Sequence, residues 1–396
     1  MKMIKVLIIS FKYDKKSPGG AAKSFLNISE GLKKDKEFHV SILFLNAIRN
    51  IFNPFGLSLY LKVLKIIRMI KKTKPHVILV QSDLAFPGII AASIMNVPII
   101  NLIRDTHLFC PKNVDIIKYG IACSGLKNRK ECYECINYWR SLRILIGNKG
   151  DGWQNSRESR LTTIAYKIRY IICKINIFLC NRATINLIAS NLMKSYLSLS
   201  IKSEKLMVAN ITPIKEIDFN IQKIEKKNNI LFIIPKFDAS YKGLDFVLRL
   251  SKYIPEKYHI LIVGNLLKIK ELKDNKKIIN IEKVSTNILN ELYQTSLVTL
   301  APSFCNDAFG RVIIESLLNN TPVIAAPNCG AVHELKNSNF LRIVPININL
   351  WIKEIVDIIK NQVQIPEKER IIIFNQYSIE NSLLGLKTII NDLLNK

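Results

Sequence analysis

Acidic residues are scarce in this chain: 31 Asp and Glu stand against 58 Lys and Arg over 396 residues, a formal net charge of +27. Long apolar runs are missing as well. Charges interrupt the two most bilayer-like segments, 59–74 and 160–182, before 18 apolar residues accumulate, so neither reads as a transmembrane span. The charged start leads straight into a strand pattern instead of an apolar h-region; no signal peptide is expected, and a reducing cytoplasm is the simplest compartment. No G-x-G-x-x-G follows the first strand, which counts against a nicotinamide enzyme. Aromatics make up only 8%, and no RRM, KH or zinc-finger pattern occurs, so nucleic acid is not the expected anionic partner. Repeats and low-complexity tracts are absent beyond a bias to Lys, Ile and Asn.

What is present is apolar and alternating. At 48% apolar content, the chain suits two cores in units of about 150 to 200 residues. Apolar strands spaced by helical segments, such as YHILIVGN, KIINIEKVS and SLVTLAPS, imply α/β architecture with parallel sheets and helical crossovers. The polar, charged stretch 211–228 carries no buried strand and reads as a linker. The expected division is therefore 1–210, linker 211–228, 229–376, and an amphipathic helix within 377–396 that starts near Ser378.

Residues 301–334, APSFCNDAFGRVIIESLLNNTPVIAAPNCGAVHE, concentrate the chemistry. They read as a buried strand ending at Pro302, a loop, a helix opening at Phe309-Gly310, and a second strand pinned by prolines. Asp307 and Glu315 stand eight residues apart across that helix start. An ionised carboxylate only accepts hydrogen bonds and can take two hydroxyl protons at once, as binding of a polyol requires. The plain alternative is a helix cap and a solvated helix residue. Upstream, ILFIIPKFDASYKGLDFV (230–247) is a strand, a loop and Lys242-Gly243 entering a helix, with Lys236 as a second basic residue. At the start, a strand leads through Gly19-Gly20 into a helix over 21–34 and a second strand after His39.

These residues resemble the nucleotide-sugar signature of the GT-B-type retaining glycosyltransferases of the group 1 family (family 4), where two acids bracket a Phe-Gly pair. Asp307 stands in place of the usual glutamate, one methylene short. The resemblance implies two Rossmann-like doubly wound domains facing each other across a cleft. It further implies that Glu315 holds the ribose hydroxyls and Asp307 the transferred sugar. Lys242, with Lys236 the nearest basic residue to the expected arginine position, would grip the diphosphate, and Gly310 at a helix N-terminus would face it. Gly19 and Gly20 would let the backbone approach the phosphates. The stretch Arg104-Asp105-Thr106-His107 through Cys110-Pro111 is similar to a family subset with His-Asp, Cys-Pro and a cysteine cluster. By that analogy Arg104 or His107 would hold donor hydroxyls or phosphate, and Asp105 would orient the acceptor hydroxyl. No cofactor is implied for catalysis beyond a UDP- or GDP-linked sugar donor, because Lys242 and helix N-termini stabilise the leaving group in place of a metal cation.

Cysteine spacing raises a separate question. Cys110, Cys123, Cys132 and Cys135 follow C-x12-C-x8-C-x2-C and could bind a structural zinc, stay as reduced thiols, or pair as disulfides. Cys173, Cys180, Cys305 and Cys329 read as small buried residues.

Charge is unevenly divided. Residues 1–228 hold 38 basic and 15 acidic side chains, a net of +23, and 229–396 hold 20 and 16, a net of +4. The segments LYLKVLKIIRMIKKTK (59–74) and RLTTIAYKIRYIICKINIFLCNR (160–182) alternate bulky apolar and basic residues as interfacial helices do; ordinary sheet-covering helices with lysines outward would look similar. The expectation is a glycosyltransferase, cytoplasmic and peripheral at the inner face of the cell membrane. It would take a nucleotide-sugar, use a glycan or polyprenyl-linked acceptor, and touch an anionic membrane surface through its amino-terminal domain. The alternatives are a soluble sugar synthase with a small acceptor and a non-catalytic basic protein that kept the fold.

Overall fold

Strands such as Val77–Gln81 (VILVQ) and Ile99–Ile103 (IINLI) are buried along their whole length. A strand apolar on both faces needs cover on both, the situation of a parallel sheet flanked by helices. The computed structural model describes residues 3–11, 20–46, 57–81, 84–111, 116–118, 121–136, 160–214, 224–234, 240–264 and 275–395.

The amino-terminal half runs β1 (Ile4–Phe11), α1 (Gly20–Lys34), β2 (Phe38–Leu45), α2 (Leu57–Thr73), β3 (Val77–Gln81), α3 (Ala85–Met95), β4 (Ile99–Ile103), a hairpin of β5 (Ile116–Lys118) and β6 (Ile121–Ala122), α4 (Arg160–Arg182), β7 (Ile185–Ile188), α5 (Asn191–Leu197) and β8 (Leu206–Val208). The carboxyl-terminal half continues with β9 (Asn229–Ile233), α6 (Leu244–Leu250), β10 (His259–Val263), β11 (Ile278–Ile281), α7 (Thr286–Thr295), β12 (Val298–Ala301), α8 (Arg311–Leu318), β13 (Val323–Ala325), α9 (Gly330–Glu334), β14 (Leu341–Ile343), α10 (Ile348–Lys360), α11 (Glu367–Tyr377) and α12 (Ile379–Leu394).

Each half builds one wholly parallel six-stranded sheet, in the orders β2-β1-β3-β4-β7-β8 and β11-β10-β9-β12-β13-β14. Alternate residues of the first sheet serve different layers. Val6, Ile8, Val77 and Leu79 face α1, whereas Leu7, Ile9, Ile78 and Val80 face α2, α3 and the end of α4.

The halves share apolar cover. Phe25, Ile28 and Leu32 of α1 lie in one cluster with Ile313 and Leu317 of α8 and with Leu386, Ile389 and Ile390 of α12. Ser378 caps α12, its Oγ accepting from the Asn381 amide at 3.1 Å. A Cβ on Gly31 would lie 2.4 Å from Leu383, so glycine lets α12 sit close against α1. Lys387 adds ion pairs to Asp35 and Glu37 at 3.6 and 2.5 Å. The chain passes from β8 towards β9 beside this helix: the Ile214 amide donates to the Tyr377 carbonyl at 2.8 Å, and Asn210 Nδ2 to that of Gln376 at 2.9 Å. Further on, Lys226 Nζ donates to the Asn320 carbonyl at 2.8 Å and to Thr321 Oγ1 at 2.7 Å, next to the carboxyl end of α8.

Two measurements test this packing. Ile390→Ala, at a fully buried site between the halves, should cost about 2–5 kcal/mol in chemical denaturation, and Leu384→Ala on the exposed side of α12 less than about 0.5 kcal/mol. Burial lowers the Lys226 pKa from its ordinary 10.5 to about 7. Between those values the unfolded chain binds a proton that the folded one lacks, so stability should rise as pH is raised through that window. Lys226→Met should therefore gain less stability than wild type between pH 7.5 and pH 9.5, by urea titration at both.

Candidate active site

In the second sheet the strand order reverses between β9 and β12, and neighbouring connections diverge there to leave a crevice beyond the strand carboxyl ends. The chain leaving β9 delivers Lys242, and the chain leaving β12 delivers Asp307. Gly243 brings them together. It sits at φ +93°, a conformation L side chains rarely adopt, and a Cβ there would lie 2.2 Å from the Pro302 carbonyl oxygen. The Phe304 amide also donates to the Tyr241 carbonyl at 2.8 Å, zipping the loops together. Lys242 Nζ consequently meets Asp307 Oδ2 at 2.5 Å, with each side chain about one-fifth exposed, at 21% and 22%. Burial disfavours the Lys242 ammonium, but the Asp307 carboxylate outweighs it and holds the pKa above its ordinary value, so the lysine stays charged.

Asp307 is fixed by its own backbone. Its amide donates to the Asn328 carbonyl and its carbonyl accepts from Gly330, both at 2.8 Å. Gly330 in turn lies against Ala308 and Ser190, which a Cβ would strike at 2.3 and 2.5 Å. Gly310 caps α8 at φ +80°. Phe309 is buried and packs on the Tyr377 ring with centroids 5.2 Å apart.

One turn into α8, both Glu315 oxygens are engaged. Oε1 accepts from Arg311 Nε and Nη2 at 3.2 and 3.0 Å, and Oε2 from the Tyr293 hydroxyl at 3.3 Å. Burial and then the Glu315 charge push the Tyr293 pKa well up, so the phenol keeps its proton. Arg311 reaches further: Nη1 donates to Ser24 Oγ of α1 at 2.6 Å and to the Pro213 carbonyl at 3.2 Å. Sequence reading missed this arginine. Its signal was the i,i+4 spacing to Glu315 directly after Phe309-Gly310.

The other expected residues divide. Arg104 is buried, and its Nη1 donates to the Ile211 carbonyl at 2.6 Å while its guanidinium lies 5.8 Å from the Phe25 ring centroid. It grips the crossover segment. Asp105 and His107 hydrogen-bond each other just beyond β4, both partly exposed. Gly20 opens α1, while Gly19 and Lys236 lie outside the described residues.

Of the three states that the cysteine spacing left open, free thiols are the one found. Cys123 Sγ turns to the Gly125 carbonyl at 3.0 Å and Cys132 Sγ to the Lys127 carbonyl at 3.7 Å, while Cys110 is buried. Among the described residues no three His, Cys, Asp or Glu side chains gather where they could hold a metal. No disulfide forms either. Burial, with Cys123 and Cys135 nearby, pushes the Cys132 thiol up.

The close approach at Gly243 is testable by adding one methyl. Gly243→Ala should destabilise by about 1–3 kcal/mol, because it forces the two loops apart from a strained φ. Gly385→Ala, in mid-helix with open space around it, should be neutral or stabilising by up to about 1 kcal/mol. Thermal denaturation of the pair separates the effects.

The whole chain superposes on several solved structures of low sequence identity. HepE from Anabaena, in complex with UDP and glucose, aligns with a TM-score of 0.65 at 14% identity, covering 98% of this chain and 100% of that one. Sucrose-phosphate synthase from Thermosynechococcus elongatus gives 0.66 at 13%, with 99% of each chain covered. A glycosyltransferase from Rickettsia africae gives 0.65 at 18% over both whole chains. The fold is GT-B, with two Rossmann-like sheets. The search of curated proteins gave no match. Residues 214–377, which carry Lys242, Asp307, Arg311 and Glu315, match the family described as glycosyl transferases group 1.

Proposed function

We propose that this protein transfers a sugar from a nucleotide-sugar, UDP-linked in the first instance, to a glycan or polyprenyl-linked acceptor with retention at the anomeric carbon. The observation that carries the reading is the 2.5 Å Lys242–Asp307 pair at the switch point of a group 1 transferase domain. The presence of UDP and glucose in the HepE structure supports the choice of donor.

Donor binding is assigned to 229–376 and acceptor binding to 1–210. Lys242 is the cation for the leaving diphosphate: as the bond from the anomeric carbon to the phosphate oxygen breaks, charge grows on that oxygen, and a fixed ammonium in a water-poor crevice stabilises it. The N-terminus of α8 at Gly310 adds backbone N–H groups directed at the same charge. Asp307, released as Lys242 turns to the diphosphate, accepts a hydroxyl of the sugar. Glu315, pre-aimed by Arg311 and Tyr293, accepts the ribose hydroxyls. The acceptor oxygen bonds to the anomeric carbon on the face the diphosphate leaves, and its proton passes to the departing phosphate oxygen. Asp105 and His107 orient the acceptor hydroxyl. The pathway we assign is assembly of a surface polysaccharide, glycolipid or glycoprotein glycan, on the cytoplasmic side of the cell membrane.

Thermal shift against UDP, GDP, ADP and CMP tests donor binding. UDP should raise the melting temperature of wild type, with about 2.7 kcal/mol of stabilisation at a hundredfold excess over Kd, and should not stabilise Glu315→Gln. Lys242→Ala should lower kcat by about 10²–10³-fold. Folded wild type that no nucleotide stabilises, or an inverted anomeric configuration of the product by NMR, would overturn the corresponding part of the proposal.

A further inference from the structure

We infer that Ser190 and Asn306 are positioning residues through which the amino-terminal half aims Asp307. The carboxylate assigned to the transferred sugar and the groups assigned to the acceptor are thereby held in one register, an inference that rests on the transferase reading. Two hydrogen bonds between the halves flank that carboxylate. Ser190 Oγ, just after β7, donates to the Ala308 carbonyl at 2.7 Å. Asn306 Nδ2 donates to the carbonyl of Cys123, just after β6, also at 2.7 Å. Ser190 and Asn306 are 0% and 8% exposed, so bulk water does not compete for either bond, and losing one strands buried polar groups.

Between these two clamps the backbone of Asp307 forms an isolated parallel bridge with Cys329. Its peptide groups are therefore held on both sides, and side-chain rotation is the freedom that remains. The Ser190 hydroxyl is used twice. It donates to Ala308 and, as the cap of α5, accepts from the Met193 amide at 3.3 Å, which makes the start of α5 and the Asp307 loop one unit. Beside it, the Asn191 amide and Nδ2 donate to Glu334 Oε1 at 2.8 and 3.1 Å. Glu334 ends α9, and Gly330, which binds the Asp307 carbonyl, begins it.

The same frame reaches the acceptor side. Ala308 lies in one buried cluster with Ile103 at the end of β4, with Phe109, and with Ile188 and Met193. Phe109 stands two residues beyond His107, and Asn176 Nδ2 of α4 ties its neighbour, donating to the Leu108 carbonyl at 3.1 Å. Glu315 is held separately, through Arg311 on Ser24 and Pro213. The two carboxylates thus answer to different parts of the first half: Glu315 to α1 and the crossover, Asp307 to the turns after β6 and β7. Apolar packing alone would join the halves. Buried hydrogen bonds on the residues directly before and after Asp307 add direction, which the reaction needs, since misplacing reacting atoms by about 1 Å can cost on the order of 10²-fold in rate.

The test measures UDP affinity by calorimetry, and UDP release from UDP-glucose, UDP-galactose and UDP-N-acetylglucosamine with water in place of the acceptor. Asn306→Leu keeps the volume and loses the donor; Ser190→Ala loses the hydroxyl. On the sugar nucleotide that wild type cleaves fastest, each should lower kcat about tenfold or more. UDP should still bind within about twofold of wild type, because the nucleoside is assigned to Glu315. Ser190→Thr, which keeps hydroxyl and cap, should recover most of the rate. Ser198→Ala, at the exposed end of α5, should leave rate and affinity unchanged. Added to Asp307→Ala, Asn306→Leu should lower kcat by less than about twofold further, since the carboxylate it acts through is already gone. Circular dichroism melts verify that the variants fold. Wild-type kcat in Asn306→Leu and Ser190→Ala, a full further loss in Asp307→Ala, or UDP affinity falling in step with kcat would overturn the inference. So would a wild type that binds UDP and cleaves none of the three. Failure of wild type to bind UDP would overturn the donor reading and this inference together, so the UDP arm tells the two failures apart.

Discussion

A sheet whose strands all run one way cannot return through a tight turn; each connection must cross the sheet and re-enter at the same end. That constraint collects every loop leaving a strand carboxyl end on one edge. In the second sheet it puts the Lys242 loop and the Asp307 loop side by side, because their strands are the neighbours at which the order reverses. Gly243 then removes the last obstacle to contact. The ion pair is thus a product of topology plus one missing side chain.

Charge at the site is arranged in two self-contained sets. Lys242 and Asp307 neutralise each other, so neither is left as an uncompensated charge in the partly buried crevice. A diphosphate brings more negative charge than a single carboxylate, and can therefore draw the lysine away while leaving Asp307 open to hydroxyl groups. Glu315 is held differently: Arg311 and Tyr293 fix it from behind, and Arg311 also ties α8 to Ser24 and Pro213. Arg104 grips Ile211 from the other half. Two arginines, one from each half, thus hold the same short crossover segment, and one of them also sets the carboxylate.

Strands such as β9 and β10 were legible because each is an apolar run between turn residues, which β5 (IIK) and β14 (LRI) are not, and α8 because Gly310 opens it. Asp307 and Glu315 were legible as candidates because eight residues separate them across one helix start, and Lys242 because it precedes Gly243 at another. Long-range partners were not: nothing in the sequence near Arg104 announces Ile211, 107 positions away. Cysteine spacing left three states open for a related reason. Proximity along the chain does not orient thiols, and Cys123 and Cys132 find backbone carbonyls inside their own loop. The segments at 59–74 and 160–182 were legible as helices, but only the sheet order put both on one face.

Topology also decides which face is left for an outside partner. The α1 side of the first sheet is used up: α8 and α12 from the other half cover it, with Gly31 admitting Leu383 and Lys387 matching Asp35 and Glu37. Among the described residues, the opposite layer of α2, α3 and α4 receives no such cover from the other half.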